Sequence, residues 1–184
     1  MKKITIIALI LFCGFNASFA QKYLTRTGKI SFFSSTPVEN IEAFNNEVAS
    51  IVDSKSGDVV FQAPIKSFKF EKELMQEHFN DDYMESNKFP KAEFKGTIDD
   101  IGNVNFSKDG TYNVKTTGKL TIHGVTNNVT VPGTITVKGN EITVNSKLKV
   151  KTADYGIKIP GIVASKVANE IEVTVNSVLS KVGQ

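Results

Sequence analysis

The stretch Glu141-Ile142-Thr143-Val144-Asn145-Ser146-Lys147-Leu148-Lys149-Val150-Lys151 decides the fold class. Ile142, Val144, Ser146, Leu148 and Val150 share one parity, while Thr143, Asn145, Lys147, Lys149 and Lys151 share the other. A helix would spread these lysines around its circumference. A strand sorts them onto two faces, one apolar and one wet. The same alternation runs through Thr111–His123, where Tyr112, Val114, Thr116, Leu120 and Ile122 oppose Lys115, Thr117, Lys119 and His123. A last strand sets Ile171, Val173 and Val175 against Glu170, Glu172 and Thr174.

Working outward, further strands are expected over Leu24–Ser34, Glu47–Asp53, Asp58–Phe70, Ala92–Asp99 and Asn128–Lys138, with a short one over Asn103–Ser107. Within Asp58–Phe70 the parity slips. Phe61, Ala63 and Ile65 agree, Phe68 and Phe70 take the opposite parity, and Pro64 stands beside the change, so a bulge is expected there. Lys55-Ser56-Gly57-Asp58, Asp109-Gly110 and Gly139-Asn140 have tight-turn chemistry. Two segments read as short helices. Pro37–Phe44 would be capped by Thr36, and Glu71–Phe79 carries Leu74, Met75 and Phe79 on one side. Roughly eight or nine antiparallel strands in one domain must hide their edges, as a closed barrel or a sandwich.

The N-terminus reads as an export signal. Lys2 and Lys3 precede the apolar run Ile4–Phe15, which falls short of the roughly 20 residues a membrane helix needs. Ala17-Ser18-Phe19-Ala20 presents small residues for cleavage after Ala20. Residues 1–20 are therefore expected to be removed and 21–184 to form the domain, exported to the periplasm or outside the cell. The single cysteine, Cys13, follows Phe12, too bulky for a lipoprotein acylation site, and would leave with the signal. The mature chain would then have no disulfide and no thiol chemistry. It would also carry nearly balanced charge without a basic block, which argues against nucleic-acid binding.

No catalytic, metal or cofactor constellation stands out. His78 and His123 have no second histidine at ligand spacing, and His123 falls on the lysine-bearing parity, so it is expected at the surface. No nucleophile elbow, phosphate loop or calcium loop occurs. Asp81-Asp82 and Asp99-Asp100 read as solvated turns, and the sequon Asn128-Val129-Thr130 lies inside a strand pattern. Aromatic usage is more informative, because Phe32, Phe61, Phe68, Phe70, Phe94 and Tyr112 fall on strands. In a barrel of about eight strands such residues either fill the interior or line a ligand cavity. Met75, Phe79 and Met84 could form an adaptable apolar lid.

Three segments carry a family resemblance. Met84-Glu85-Ser86-Asn87-Lys88-Phe89-Pro90-Lys91-Ala92-Glu93-Phe94 is similar to an aromatic-Pro stretch of the YceI-like family. Gly118-Lys119-Leu120-Thr121-Ile122-His123-Gly124-Val125-Thr126-Asn127-Asn128-Val129 resembles its signature, Gly-x-Leu-Thr-Ile-x-Gly-x-Thr-x-x-Val, with the turn expected at Thr126-Asn127-Asn128. Ala153-Asp154-Tyr155-Gly156-Ile157 resembles its Asp-aromatic-Gly-Ile element. The resemblance spans Leu24–Leu179. It departs from the family at Val150-Lys151-Thr152-Ala153, where an arginine is usual, and at Gly28–Ser34, which lacks a histidine-serine opening.

The resemblance implies an all-β, lipocalin-like antiparallel barrel of about eight strands with one or two short helices. It implies a non-enzymatic carrier that sequesters or transports a polyisoprenoid or similar long-chain lipid, with transient membrane contact. The residues expected to touch the ligand are Phe61, Phe68, Phe70, Met75, Phe79, Tyr112, Val114, Leu120, Ile122, Val144, Leu148, Ile171 and Val173, with Tyr155 or Lys158 meeting the head group. The alternative is a structural or protein-interaction barrel with a filled core; an enzyme acting on a hydrophobic substrate would need a buried titratable pair.

Overall fold

The structure, a computed structural model, describes residues 22–182. The expected signal peptide lies outside them. Nine strands follow in order: β1 (Lys22–Ser35), β2 (Asn40–Asp53), β3 (Asp58–Pro64), β4 (Lys69–Phe70), β5 (Lys91–Ile98), β6 (Gly110–Ile122), β7 (Val125–Lys138), β8 (Glu141–Lys151) and β9 (Glu170–Lys181). All pairings are antiparallel, in the order β1-β9-β8-β7-β6-β5-β3-β2, and β1 pairs back onto β2. Eight strands thus close a barrel, and the two-residue β4 adds to the outer half of β2. The one α-helix among the described residues, α1 (Glu73–His78), lies in the connection from β4 to β5.

The alternation that identified the strands also builds the walls. Along β8, Ile142 and Val150 are buried while Lys147, Lys149 and Lys151 are exposed. Strand direction sorts the connections onto two ends. The β2–β3, β5–β6 and β7–β8 connections share one end with both described termini, where Val182 N–H donates to Lys22 O at 2.7 Å. The β1–β2 turn, α1, the β6–β7 turn and the long β8–β9 connection share the other. A dense cluster fills the first end: Tyr23, Val52, Ile135, Val137, Ile142 and Leu179, all at most 1% exposed, with Val104 and Phe106 folded in from the β5–β6 connection.

Several local expectations are corrected. Pro37–Phe44 is a turn followed by the start of β2, not a helix. Thr36 does cap, but its Oγ1 accepts from Val38 and Glu39 N–H at 3.3 and 3.0 Å to close a tight turn. Ile41 and Ala43 then alternate inward, and pairing of β2 with β1 takes the segment into the sheet. The parity slip in 58–70 is a 3-10 turn over Ile65–Ser67, not a bulge, so β3 and β4 are separate strands. Asn103–Ser107 is irregular, although Val104 and Phe106 keep the inward spacing. The Glu71–Phe79 helix is shorter, and a π-helical turn over Phe79–Tyr83 continues it.

The β6–β7 turn falls at His123-Gly124, ahead of Thr126-Asn127-Asn128, which are already in β7. Both turn residues take left-handed backbone, φ 51° and 77°. At Gly124 a side chain would also collide with the Phe89 ring.

Candidate functional site

The barrel holds an apolar cavity of about 540 Å³, within the range typical of small-molecule sites. All eight barrel strands contribute to its walls, β2 with Ile41 and Val52, β5 with Ala92, Phe94 and Ile98, and β7 with Val131 and Ile135. β6 contributes Val114, Thr116, Leu120 and Ile122; β8, Val144, Leu148 and Val150; β9, Ile171, Val173 and Val175; β1, Ile30 and Phe32; β3, Phe61 and Ala63. α1 closes over it with Leu74, Met75 and His78. The β8–β9 connection adds Ile157, Ile159, Val163 and Val167.

Phe32 is the hub of an aromatic cluster below α1. Its ring centroid lies 5.5 Å from Phe68, 5.6 Å from Phe70 and 5.4 Å from Phe79, and Phe70 and Phe79 are 5.0 Å apart. The 3-10 turn at Ile65–Ser67 brings Phe68 and Phe70 to the cavity alongside Phe61 despite their opposite parity. Met84 is buried beneath them, in the same cluster.

Charge gathers at the end where α1 lies. Lys72 pairs with Glu39 at 3.2 Å, and Lys72, Glu39, His78 and Lys166 all line the cavity from connections at that end. Ser34 Oγ accepts from Ala168 N–H at 2.9 Å, holding the β8–β9 connection against the end of β1. An apolar chamber with a charged rim at one end suits a molecule with a long hydrocarbon part and a polar head. Among the described residues no group of three or more His, Cys, Asp and Glu could hold a metal.

All residues expected to touch a ligand line this cavity except Tyr112, Tyr155 and Lys158. Tyr112 packs against the filled end, where its hydroxyl donates to Asn105 O and Lys108 O, both at 3.3 Å, and tethers the β5–β6 connection. Tyr155 sits on a 3-10 turn (Thr152–Tyr155), 3% exposed, in a groove beside β7 and β8 rather than in the chamber. Burial raises the pKa of its hydroxyl. Lys158 is exposed and does not line the cavity, while its neighbours Ile157 and Ile159 do.

His123 is not the exposed residue that its parity implies. β6 ends one residue earlier, and the left-handed backbone turns the ring back against the protein. The side chain is 13% exposed, and Nε2 lies 2.8 Å from Glu85 Oε2. Nδ1 lies 3.3 Å from Tyr155 O, and the Phe89 ring stands edge-on at 4.6 Å. His123 thus joins the 79–90 segment, the β6–β7 turn and the 152–155 turn.

Sequence reasoning missed the β8–β9 connection as a wall. The alternate Ile157 and Ile159 and the four-residue spacing of Val163 and Val167 were the available signal.

A family model described as the YceI-like domain matches residues 16–179. Solved structures share the fold. A polyisoprenoid binding domain from Saccharophagus degradans implicated in plant cell wall breakdown is 15% identical with a TM-score of 0.75, covering 87% of this chain and 98% of its own. Burkholderia cenocepacia BcnA is 22% identical with a TM-score of 0.69, covering 82% and 95%. A Campylobacter jejuni YCEI protein is 16% identical with a TM-score of 0.54, covering 100% of both chains. No curated protein matches the chain. The family match spans most of the chain, so the chain belongs to the YceI-like family.

Proposed function

We propose that this YceI-like barrel binds and carries a long-chain amphiphile, a polyisoprenoid or similar lipid, with its hydrocarbon part in the central cavity. The observation that carries the reading is the cavity itself: about 540 Å³, walled mainly by aliphatic side chains and phenyl rings, with charge gathered at one rim. Each buried methylene gains roughly 0.8 kcal/mol, so ten would supply roughly 8 kcal/mol before the costs of ordering. The aromatic cluster and the flexible thioethers of Met75 and Met84 can adjust to a chain with kinks or branches. The rim formed by Lys72, Glu39, His78 and Lys166 offers hydrogen-bond partners to a head group. That a Saccharophagus degradans structure of this fold is described as a polyisoprenoid binding domain supports the lipid class.

Mass spectrometry of an organic extract of natively purified protein tests the reading. A long-chain amphiphile near one per protein is expected. It should be lost in Val144→Phe, which adds volume without charge in mid-chamber, and in Leu148→Glu, which places an unpaired carboxylate there. Extracts without lipid from wild type would favour the filled-core interaction module instead.

A further inference from the structure

The wall between β7 and β8 is not continuous. β6 and β7 are paired along their whole length, from Gly110↔Val137 to Ile122↔Val125, and β8 and β9 from Glu141↔Ser180 to Lys151↔Glu170. β7 and β8 are paired only from Lys138↔Glu141 to Gly133↔Ser146. The ladder stops at Pro132. A proline has no N–H to give to the neighbouring strand, and its carbonyl is taken instead by Ser146 Oγ at 2.8 Å. Beyond this point each strand keeps its other neighbour but not its partner across the seam. At the far end, Asn127 Nδ2 donates to Asp154 O at 2.8 Å and ties the rim together again. The result is a slit in the wall, pinned above and below.

This slit reaches the chamber. The groove over it is lined both by residues of the inward parity, Val129 and Leu148, and by residues of the outward parity, Lys147 and Lys149. Leu120, Val131, Pro132 and Leu148 line the groove and the central cavity alike.

The outer surface around the slit is basic. Lys115 and Lys119 on β6 and Lys147, Lys149 and Lys151 on β8 are all exposed, and β7 between them carries no acid. The acids beside them are Glu172, 2.6 Å from Lys147, Glu170, 2.9 Å from Lys149, and Asp99, whose carboxylate accepts from Thr117 Oγ1 at 3.1 Å between Lys115 and Lys119. Five lysines thus face two glutamates and one aspartate. Lys119 stands directly opposite Lys95 across β5 and β6, a juxtaposition of like charges that disfavours the sheet.

Resting on the carrier reading, we propose that the β7–β8 seam is a side portal. The lysine face docks on an anionic bilayer, and the hydrocarbon chain passes between bilayer and chamber through the slit, beneath α1 rather than past it. Apolar residues through the wall provide the path, and the lysines provide attraction to anionic head groups that salt weakens.

Uptake of the fluorescent fatty acid cis-parinaric acid tests the portal. It would be followed by stopped flow from vesicles of phosphatidylcholine alone and of phosphatidylcholine with phosphatidylglycerol, alongside equilibrium binding of the same probe. Val129→Trp fills the slit from a position opposite Gly118 that does not line the chamber. It should slow uptake about tenfold and leave equilibrium binding unchanged, because added volume blocks the path and not the destination. Lys115→Glu with Lys119→Glu alters only exposed side chains, so it tests docking even where the tryptophan variant fails to fold. It should remove the acceleration by phosphatidylglycerol, about tenfold at low salt, and leave uptake from neutral vesicles as it was. Wild-type rates in a folded Val129→Trp, or an acceleration that survives the double charge reversal, would overturn the portal and leave the carrier reading standing. A wild type that binds no probe at equilibrium from either vesicle would overturn the carrier reading, and the portal with it.

Discussion

The two ends of the barrel are built from the same alternating strands and reach different outcomes. At the end that holds the termini, inward residues meet one another. Ile142 and Leu179 are fully buried, and Val104, Phe106 and Tyr112 fold in from the β5–β6 side to plug the bore. At the end under α1, the inward residues are as apolar, but Phe32, Phe70 and Phe79, though packed on one another, stay half-buried because they also border the cavity. The difference is one of connections. A plug drawn from a loop fills one end, whereas α1 and the β8–β9 connection roof the other without filling it. Apolar parity makes a wall, and whether the wall encloses a core or a chamber is decided by what the loops insert.

This contrast breaks most readily at the filled end. Ile142→Ala should cost about 2–5 kcal/mol in urea unfolding, since the truncation leaves a void among close-packed neighbours. Phe79→Ala should cost clearly less, about 1–2 kcal/mol, because its ring already borders empty space and no new enclosed void forms. Equal losses in the two variants would mean that the ends do not differ in packing.

Next in size is His123→Ala. Its ring connects three segments through Glu85, Tyr155 O and Phe89. We expect about 1–3 kcal/mol from the lost hydrogen bonds and ring contact, together with faster hydrogen exchange in residues 79–90. Unchanged exchange there would show that these connections do not anchor the roof.

A smaller effect lies on the outside of the wall. Lys95 beside Glu93, with help from Lys91 and Gln62, lowers the Glu93 carboxyl from 4.5 to about 2 against the opposing pull of partial burial. A depressed folded-state value stabilises above the unfolded value, so this contribution is complete above pH 4.5. It is lost as pH falls from there towards 2. Both lysines are more than half exposed and screened, so the contribution is about 1 kcal/mol. Glu93→Gln should flatten the acid limb of the stability profile by that amount, and a profile parallel to wild type would count against it.

The smallest effect is expected at His78, exposed on α1 at the rim. His78→Ala should shift stability by less than about 0.5 kcal/mol, and a larger loss would reveal packing at an end described as open.

How far the sequence disclosed all this depended on the range of the deciding interaction. Glu141–Lys151 could be read because alternation is local and its lysines admit one face. Pro37–Phe44 misled because Thr36-Pro37 chemistry serves a helix start and a tight turn alike, and the choice was made by hairpin pairing with β1, which the pattern inside the segment does not show. The inward parities of β6, β8 and β9 named chamber residues correctly as a face. Parity failed at Tyr112, whose inward ring lies towards the plug, and at His123, one residue beyond the end of the strand. The roof residues Ile157, Ile159, Val163 and Val167 were missed because their spacing, two residues and then four, is too short and too irregular to mark a strand or a helix. The incomplete β7–β8 ladder had one visible token, Pro132, which a single sequence cannot distinguish from a proline at an ordinary sheet edge.

The central claim is that the space under α1 is a chamber for a hydrocarbon chain and not a poorly filled core. A crystal structure of protein purified natively, without detergent or added lipid, tests it most directly. The account predicts continuous elongated density running between the β6 residues Val114 and Leu120 and the β8 residues Val144 and Leu148, with its polar end towards Lys72 and Lys166. Phe32, Phe68, Phe70 and Phe79 collapsed into that space, with no density between them, would contradict it.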